Sequence, residues 1–197
     1  MTEQELIDGV IAGDKLAVES LVNRYHQRVI KTAYHFLKDM DDAEDLAQDV
    51  CLQLLESIPN FRKDASLSTW IYRITINKSL NHIRKNKKNQ WVERIEMLFQ
   101  SNPGNSRLKA WEPSSEPNVL DDKERKRILE KAINGLPENQ RTAFVLSKYE
   151  ELSYKQIAEI MEVSLASVES YLQRAKQNLQ KELIGYFQEC SSKKTVK

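Results

Sequence analysis

Cysteine is nearly missing from this chain: Cys51 and Cys190 are the only two in 197 residues. They share no CxxC spacing and have no histidine cluster beside them. That excludes a disulfide framework and a cysteine zinc site, and points to free thiols in a reducing compartment. Glycine and proline are scarce, five of each, and no segment alternates like a half-buried strand, so sheet architectures are excluded. There is no glycine-rich phosphate loop, no HExxH, no GxSxG, and no histidine near a candidate serine or cysteine nucleophile. His26 and His35 lie nine apart on one predicted helix. That spacing does not bring them onto one turn to share a metal, and both read as satisfied surface side chains. No metal site and no cofactor is expected, and the chain is not read as an enzyme. No apolar run reaches about 18 residues, so nothing is expected to span a membrane. The start, MTEQELIDGV, lacks a basic leader and an apolar run, so no signal peptide is read and the chain is expected to be cytoplasmic.

What remains is a helical pattern. Charged residues make up 30 % and hydrophobic residues 40 %, ordinary for a helix-rich protein. Thr2 with Glu5 forms a capping box for a short first helix ending near Gly13, and Asp14 caps a long second helix running to about Lys38. Asp41 with Glu44 reads as the capping box of a third helix. Its buried stripe is Ala43, Leu46, Ala47, Val50, Leu54 and Ile58, and it stops before Pro59. Ser66 or Ser68 is expected to cap a fourth helix from about Leu67 that frays over Lys85–Asn89. The pattern then weakens to about Asn118, with breaker clusters at 102–106 and 112–117. A short helix near Val92–Phe99 is expected within this stretch, and Trp91 and Trp111 are read as pins to a surface. Beyond it, helices are expected over Leu120–Asn134, from Pro137, from Ser153 with Gln156 as cap, and from Leu165 to about Phe187. Inward positions include Ile128, Leu129, Ala132 and Ile133, then Leu165, Val168, Leu172, Ala175, Leu179 and Leu183. The basic tail from Cys190 to Lys197 is read as loose. The expected fold is all-α, two small helical domains joined by a flexible linker: 1–88, linker 89–119, 120–187, tail 188–197.

A net charge of +1 conceals a segregation. Asp39 to Glu56 holds seven acids and no base, with Glu44, Asp45, Gln48, Asp49 and Gln53 directed outward. Such a face is either solvated or a docking surface for a basic partner. The next thirty residues reverse the sign. On the fourth helix Tyr72, Ile76, Leu80 and Ile83 read as core. Trp70, Arg73, Asn77, Asn81, Arg84 and Lys88 share another face. Cations there can neutralise phosphates, the aromatic can stack on a base and the amides can read base edges. A solvated amphipathic helix is the plain alternative. From Ser153 to Leu183 a short helix, a three-residue turn and a longer helix describe a helix-turn-helix, with Ala158 at the close crossing and Val163 plugging the turn. Its major-groove candidates are Ala166, Ser167, Glu169, Ser170, Gln173 and Arg174, with Lys176 and Gln177 beyond. An ordinary helical hairpin is the alternative.

Two separated blocks resemble the extracytoplasmic-function group of bacterial RNA polymerase sigma factors of the sigma-70 family. The first is DDAEDLAQDV, then IPNF, then LSTWIYRITINKSLNHIRK. The second is LPENQRTAFVLSKYEELSYKQIAEIMEVSLASVESYLQRAKQNL. The resemblance implies a non-catalytic subunit that binds core RNA polymerase and directs promoter-specific initiation in a stress or environmental response. It also implies an anti-sigma partner. Region 2 would dock on the polymerase clamp helices through Asp41, Glu44, Asp45, Gln48 and Asp49. It would hold the melted non-template strand of the −10 element with Phe61, Ser66, Trp70, Arg73, Asn77, Asn81, Arg84 and Lys88, a base flipping into a pocket by the 61–68 loop near Asn77. Region 4 would place the Leu165 helix on the −35 element and hold the polymerase flap tip on its apolar concave side. The linker would thread toward the RNA exit path. The chain departs from the family at Ala166-Ser167-Val168-Glu169-Ser170-Tyr171, where many relatives carry two cations at the positions of Glu169 and Tyr171. That implies weaker phosphate attraction, with Glu169 able to accept from cytosine N4.

Two rival functions are consistent with parts of the sequence. A homodimeric helix-turn-helix regulator binding duplex DNA without polymerase would need neither the acidic face nor the Trp-Arg-Asn stripe. A metal-dependent nucleic-acid enzyme would need the Asp41–Asp49 carboxylates to converge on a divalent cation, but they lack the glycine and ligand spacing of a calcium loop.

Overall fold

The computed structural model describes residues 1–61, 64–100 and 122–192, with side chains over 1–61, 64–86 and 124–184. Among the described residues there are eight α-helices, one 3₁₀ turn and no strand. The expectations for the Asn102–Asn118 breaker clusters, Trp111 and the tail after Ser192 lie outside the described residues, as do the side chains of Lys88, Trp91 and Cys190.

The N-terminal helices begin where local chemistry satisfies their first N–H groups. In α1 (Glu3–Ile11) the Glu5 N–H donates to Thr2 Oγ1 at 3.2 Å, and the Thr2 N–H donates to Glu5 Oε2 at 2.8 Å. That backbone bond holds the Glu5 carboxyl below its ordinary range. Gly13 turns the chain at φ +76, a conformation costly for any residue with a Cβ. Asp14 then caps α2 (Lys15–Leu37) through the Leu16 N–H at 3.0 Å. Gly9 is small for a different reason: a Cβ there would stand 2.6 Å from the Ala17 Cβ. The clash costs about 1–3 kcal/mol, against the roughly 1 kcal/mol of helix propensity that alanine gains. Gly9→Ala should therefore lower the thermal midpoint by a few degrees, and a rise in calorimetry would refute this account of α1–α2 packing.

The cap of α3 (Met40–Ser57) corrects the expectation. Asp39, not Asp41, is the N-cap, and its Oδ1 accepts from the Asp42 N–H at 3.0 Å. The reason is the short connection. Lys38 adopts a left-handed conformation at φ 62 that ends α2, and one extended residue, Asp39, then starts α3. Asp41 falls in the first turn, where the helix dipole still favours its charge. The predicted stripe Ala43, Leu46, Ala47, Val50, Leu54 and Ile58 is buried. A 3₁₀ turn, Ile58–Asn60, takes Pro59 at its start.

Ser66 caps α4 (Leu67–Gln100), accepting from the Thr69 N–H at 3.1 Å. A second cap comes from far away: Glu3 Oε1 accepts from the Leu67 N–H at 3.0 Å. The helix does not fray at Lys85–Asn89 but runs on to Gln100, through the segment in which a short separate helix was expected. Its lysines and asparagines include no glycine or proline, and the first strong breaker is Pro103.

α4 also serves two cores. Leu67, Ile71 and Ile74 pack into the first, with Leu6, Leu21, Val29, Val50 and Leu54 from α1–α3. Tyr72 and Ile76 face away from it into a second core. Between the stripes lie buried Thr75 and Ser79, whose hydroxyls donate to the Ile71 and Thr75 carbonyls, each at 2.8 Å. These bonds let polar residues sit on the buried side of a helix.

The C-terminal helices are α5 (Asp122–Asn134), α6 (Glu138–Lys148), α7 (Tyr154–Met161) and α8 (Leu165–Ser192). Gly135 closes α5 by donating to the Lys131 carbonyl at 3.0 Å. Ser153 and Gln156 form the expected capping box. Glu162, at φ 56, ends α7, and the Val163 N–H donates to the Ala158 carbonyl at 3.1 Å, fixing the tight turn into α8. Ala132, Ile133, Leu136, Ala175 and Leu179 form a third core. Two predicted inward residues point out: Leu129 is 38 % exposed and Leu165 is 49 % exposed. α5 is buried through its last turn, one turn past Leu129, and α8 through Val168 and beyond, leaving its first residue free.

Candidate functional site

The helices present three surfaces that the sequence singles out. On α3, Glu44, Asp45, Gln48, Asp49 and Gln53 are all exposed, as the periodicity requires, and Asp41 is exposed with them. Asp49 lies 3.9 Å from Lys78 on α4, a loose pair with the carboxylate largely exposed. Asp42, half-turned toward α4, meets His82 at 3.2 Å. The surface holds something the charge pattern hid: Leu52 is 60 % exposed and Met40 51 % exposed. Leu52 stands one turn past Gln48 and Asp49, so the acidic face ends on an apolar group. The same i, i+3, i+4 count that aligned the acids would have found it.

On α4 the proposed strand-binding residues divide. Phe61 and Trp70 come together, ring centroids 4.9 Å apart and planes inclined by 31°, both partly buried against the first core. Asn77 and Asn81 are exposed. Ser66 is exposed, but its hydroxyl is engaged by Thr69 as the helix cap. Arg73 and Arg84 are already engaged by protein groups, Arg73 partly buried and Arg84 with 59 % of its side chain still accessible. Arg73 Nη1 pairs with Glu162 at 2.9 Å, and its Nη2 donates to the Glu159 carbonyl at 2.6 Å. Arg84 holds Glu138 through both Nε (3.1 Å) and Nη2 (2.5 Å), and donates to Asn81 Oδ1 at 3.0 Å. The placement of Lys88 lies outside the described side chains.

On α8, Ala166, Glu169, Gln173 and Arg174 are exposed, while Ser167 and Ser170 are half-buried. Ser164 caps the helix, accepting from the Ser167 N–H at 3.2 Å. The first turns of α8 thus stand free for a groove, with the α7–α8 turn fixed beneath them.

The two halves of the chain meet. Phe36, Tyr72 and Ile76 form a common core with Ala143, Val145, Leu146, Ile157, Ile160 and Val168, and Leu80 and Ile83 pack against it. The stripe read as the core of the fourth helix is therefore core only because α6 and α7 cover it. Around it, Tyr72 donates to Glu150 at 3.0 Å, Lys31 donates to the Tyr149 carbonyl at 3.2 Å, and Lys38 lies 3.7 Å from Glu130. His35 is half-buried here rather than on the surface. Its ring stacks on Tyr149 at 4.2 Å and neither nitrogen has a protein partner. Burial, then Lys38 and Lys31, pull its pKa down to about 4, so it is neutral at pH 7. Burial pushes the Cys51 thiol up, which keeps it protonated and poorly reactive. Among the described residues, no group of three or more His, Cys, Asp or Glu converges to hold a metal ion, and no helix is long and apolar enough to cross a membrane.

The chain is similar to known proteins. The family model for sigma-70 region 2 matches residues 21–89, and that for sigma-70 region 4 matches residues 126–179. The RNA polymerase sigma-H factor of Pseudomonas aeruginosa is 33 % identical over 185 residues, covering 92 % of this chain and 93 % of that protein. The ECF RNA polymerase sigma-E factor of Haemophilus influenzae is 30 % identical over 183 residues, covering 93 % and 96 %. Among solved structures, CnrH in complex with the cytosolic domain of CnrY matches with a TM-score of 0.63 at 19 % identity, covering 93 % of this chain and 97 % of that one. The sigma factor RpoE in complex with the anti-sigma factor NepR, from Bartonella quintana, matches with a TM-score of 0.57 at 24 % identity, covering 84 % and 95 %. At those identities the structural likeness is one of fold.

Proposed function

Because the chain belongs to the extracytoplasmic-function group of RNA polymerase sigma factors, non-catalytic subunits that bind core polymerase and direct it to promoters, we propose that its surfaces divide that work as follows. Residues 1–88 dock on polymerase and open the −10 element, residues 120–187 read the −35 element, and the segment between joins them. The acidic face of α3 meets the basic clamp helices through Asp41, Glu44, Asp45, Gln48 and Asp49, with Leu52 as its apolar anchor. Phe61, Trp70, Arg73, Asn77, Asn81, Arg84 and Lys88 grip the melted strand, and Ser66 sets the start of α4 beside them. Ala166, Ser167, Glu169, Ser170, Gln173 and Arg174 face the −35 duplex. The protein works in the cytoplasm, where an anti-sigma protein restrains it until an environmental stress releases it.

The observation that carries this reading is the juxtaposition of α3 and α4. An exposed carboxylate face on α3 and the Phe61–Trp70 pair at the start of α4 share one small core, with Asn77 and Asn81 exposed further along α4, so the two surfaces can be used at once. A duplex-binding dimer has no use for either surface. Run-off transcription with core polymerase from the native organism, on the region upstream of the protein's own coding sequence, tests it. A discrete transcript that needs this protein is expected. Failure to transcribe together with failure to bind core would sink the reading.

A further inference from the structure

Several acids of the C-terminal half are engaged within the chain. Glu138 accepts two N–H groups from Arg84, Glu162 pairs with Arg73, and Glu150 accepts from the Tyr72 hydroxyl. Glu169 on α8 differs: it is exposed and has no hydrogen-bond or ion-pair partner among the described residues. The helix beneath it fixes where it points. Val168 and Ala175 are fully buried, which sets the rotation of α8, and the Ser164 cap holds the first turn through the Ser167 N–H at 3.2 Å. Ala166, Glu169 and Gln173, at i, i+3 and i+7, are therefore exposed along one stripe. The stripe spans about 10 Å of helix, roughly three base-pair steps.

A carboxylate brought to DNA is repelled by the phosphates, and only a donor on a base edge offsets that. In the major groove guanine and thymine present acceptors. Adenine presents its N6 donor beside the N7 acceptor, and cytosine presents its N4 donor without a neighbouring acceptor. Resting on the −35 role of α8 given above, we propose that Glu169 makes the −35 element cytosine-specific at one base pair, accepting from cytosine N4 and rejecting the other three bases there. The rejection is a matter of sign: a lone pair facing the carboxylate repels it, and the hydrogen bond that would offset its desolvation is missing. Lys155, Arg174 and Lys176 are exposed on the same helix-turn-helix. Their charges attract phosphates whatever the sequence, so they provide the affinity and Glu169 the selection. At the neighbouring pairs Ala166 offers a methyl group suited to a thymine methyl, and Gln173 an amide suited to adenine. A change confined to Glu169 leaves both in place.

The test uses holoenzyme assembled with the full-length chain. Complexes are formed on a library of the protein's own promoter, randomised over the −35 element, and the bound DNA is sequenced. Wild type should enrich cytosine roughly tenfold over each other base at one position. Glu169→Ala should flatten the preference at that position and leave the others as they were. Glu169→Gln should move it from cytosine to adenine, because an amide can donate to N7 while accepting from N6. Glu169 is exposed, so neither substitution disturbs the core. Three results overturn the proposal: base preferences that neither substitution alters, a uniform loss of binding across all sequences, or a Glu169-dependent position that prefers a base other than cytosine. In each of these α8 can still read the −35 element by other side chains. A wild-type library with no preference at any −35 position, from a holoenzyme that does transcribe, is a different failure: it removes the −35 role of α8 itself.

Discussion

Reversing Asp45 and Asp49 to lysine should weaken binding to core polymerase by roughly 100-fold, which corresponds to about 2.7 kcal/mol. The size follows from sign rather than from loss alone: each substitution removes an attraction and places a cation against a basic partner, and like-charge juxtaposition at an interface costs up to several kcal/mol. Both carboxylates are exposed on α3, so in the free protein the change is nearly free of folding cost. Asp49 has Lys78 3.9 Å away, but that pair is open to water and worth little. Asp45→Lys alone, which disturbs no such pair, should give about half the effect on a logarithmic scale. Wild-type affinity should fall with added salt, and the doubly reversed variant should show a shallower dependence. Leu52→Ser should weaken binding with the salt dependence kept, because it removes apolar area and no charge. Holoenzyme assembly unchanged by the double reversal, in a variant with a wild-type thermal midpoint, would retire the docking face.

Much of the fold was legible because it is written locally. The capping boxes at Thr2–Glu5 and Ser153–Gln156 need only neighbouring residues to be read, and both are present. The stripe of α3 is a single period on a helix packed on one side. Failures occurred where the backbone of a short connection or a remote contact decided. Asp41 with Glu44 reads as a cap, but the left-handed turn at Lys38 makes Asp39 the N-cap instead. Leu129 and Leu165 carry the right period but lie beyond the packed length of their helices. α4 has two apolar stripes because it serves two cores. The pattern reported Tyr72 and Ile76 as buried without saying that α6 and α7 bury them. His35 was misplaced for the same reason: nothing near it in the chain announces Tyr149. The candidate surfaces were readable as faces of single helices. Whether their side chains are free was not, since Glu138 and Glu162 stand 54 and 89 positions from the arginines they hold.

Replacing Asn77 or Trp70 with alanine should impair promoter opening while leaving polymerase binding at the wild-type level. The two substitutions should fail differently. Asn77 is exposed near the head of α4, so Asn77→Ala should fold normally and lose only its contacts to the strand. An amide reading a base edge contributes about 1–3 kcal/mol of discrimination, so the loss should reach roughly tenfold or more in the rate of opening and should depend on the −10 sequence. Trp70 is partly buried, paired with Phe61 at 4.9 Å and packed on the first core, so Trp70→Ala removes a stacking surface and some stability together. Base–aromatic stacking contributes about 1–3 kcal/mol. Trp70→Phe keeps an aromatic face over Phe61 and should recover most of the thermal midpoint and part of the opening rate. Permanganate reactivity of thymines in the −10 region, measured on holoenzyme–promoter complexes, reports the melted strand directly. If Asn77→Ala opens promoters at the wild-type rate, the amide is not in the strand path. If Trp70→Ala lowers polymerase binding as much as opening, Trp70 is a core residue of α4 and the aromatic pair plays no part in holding DNA.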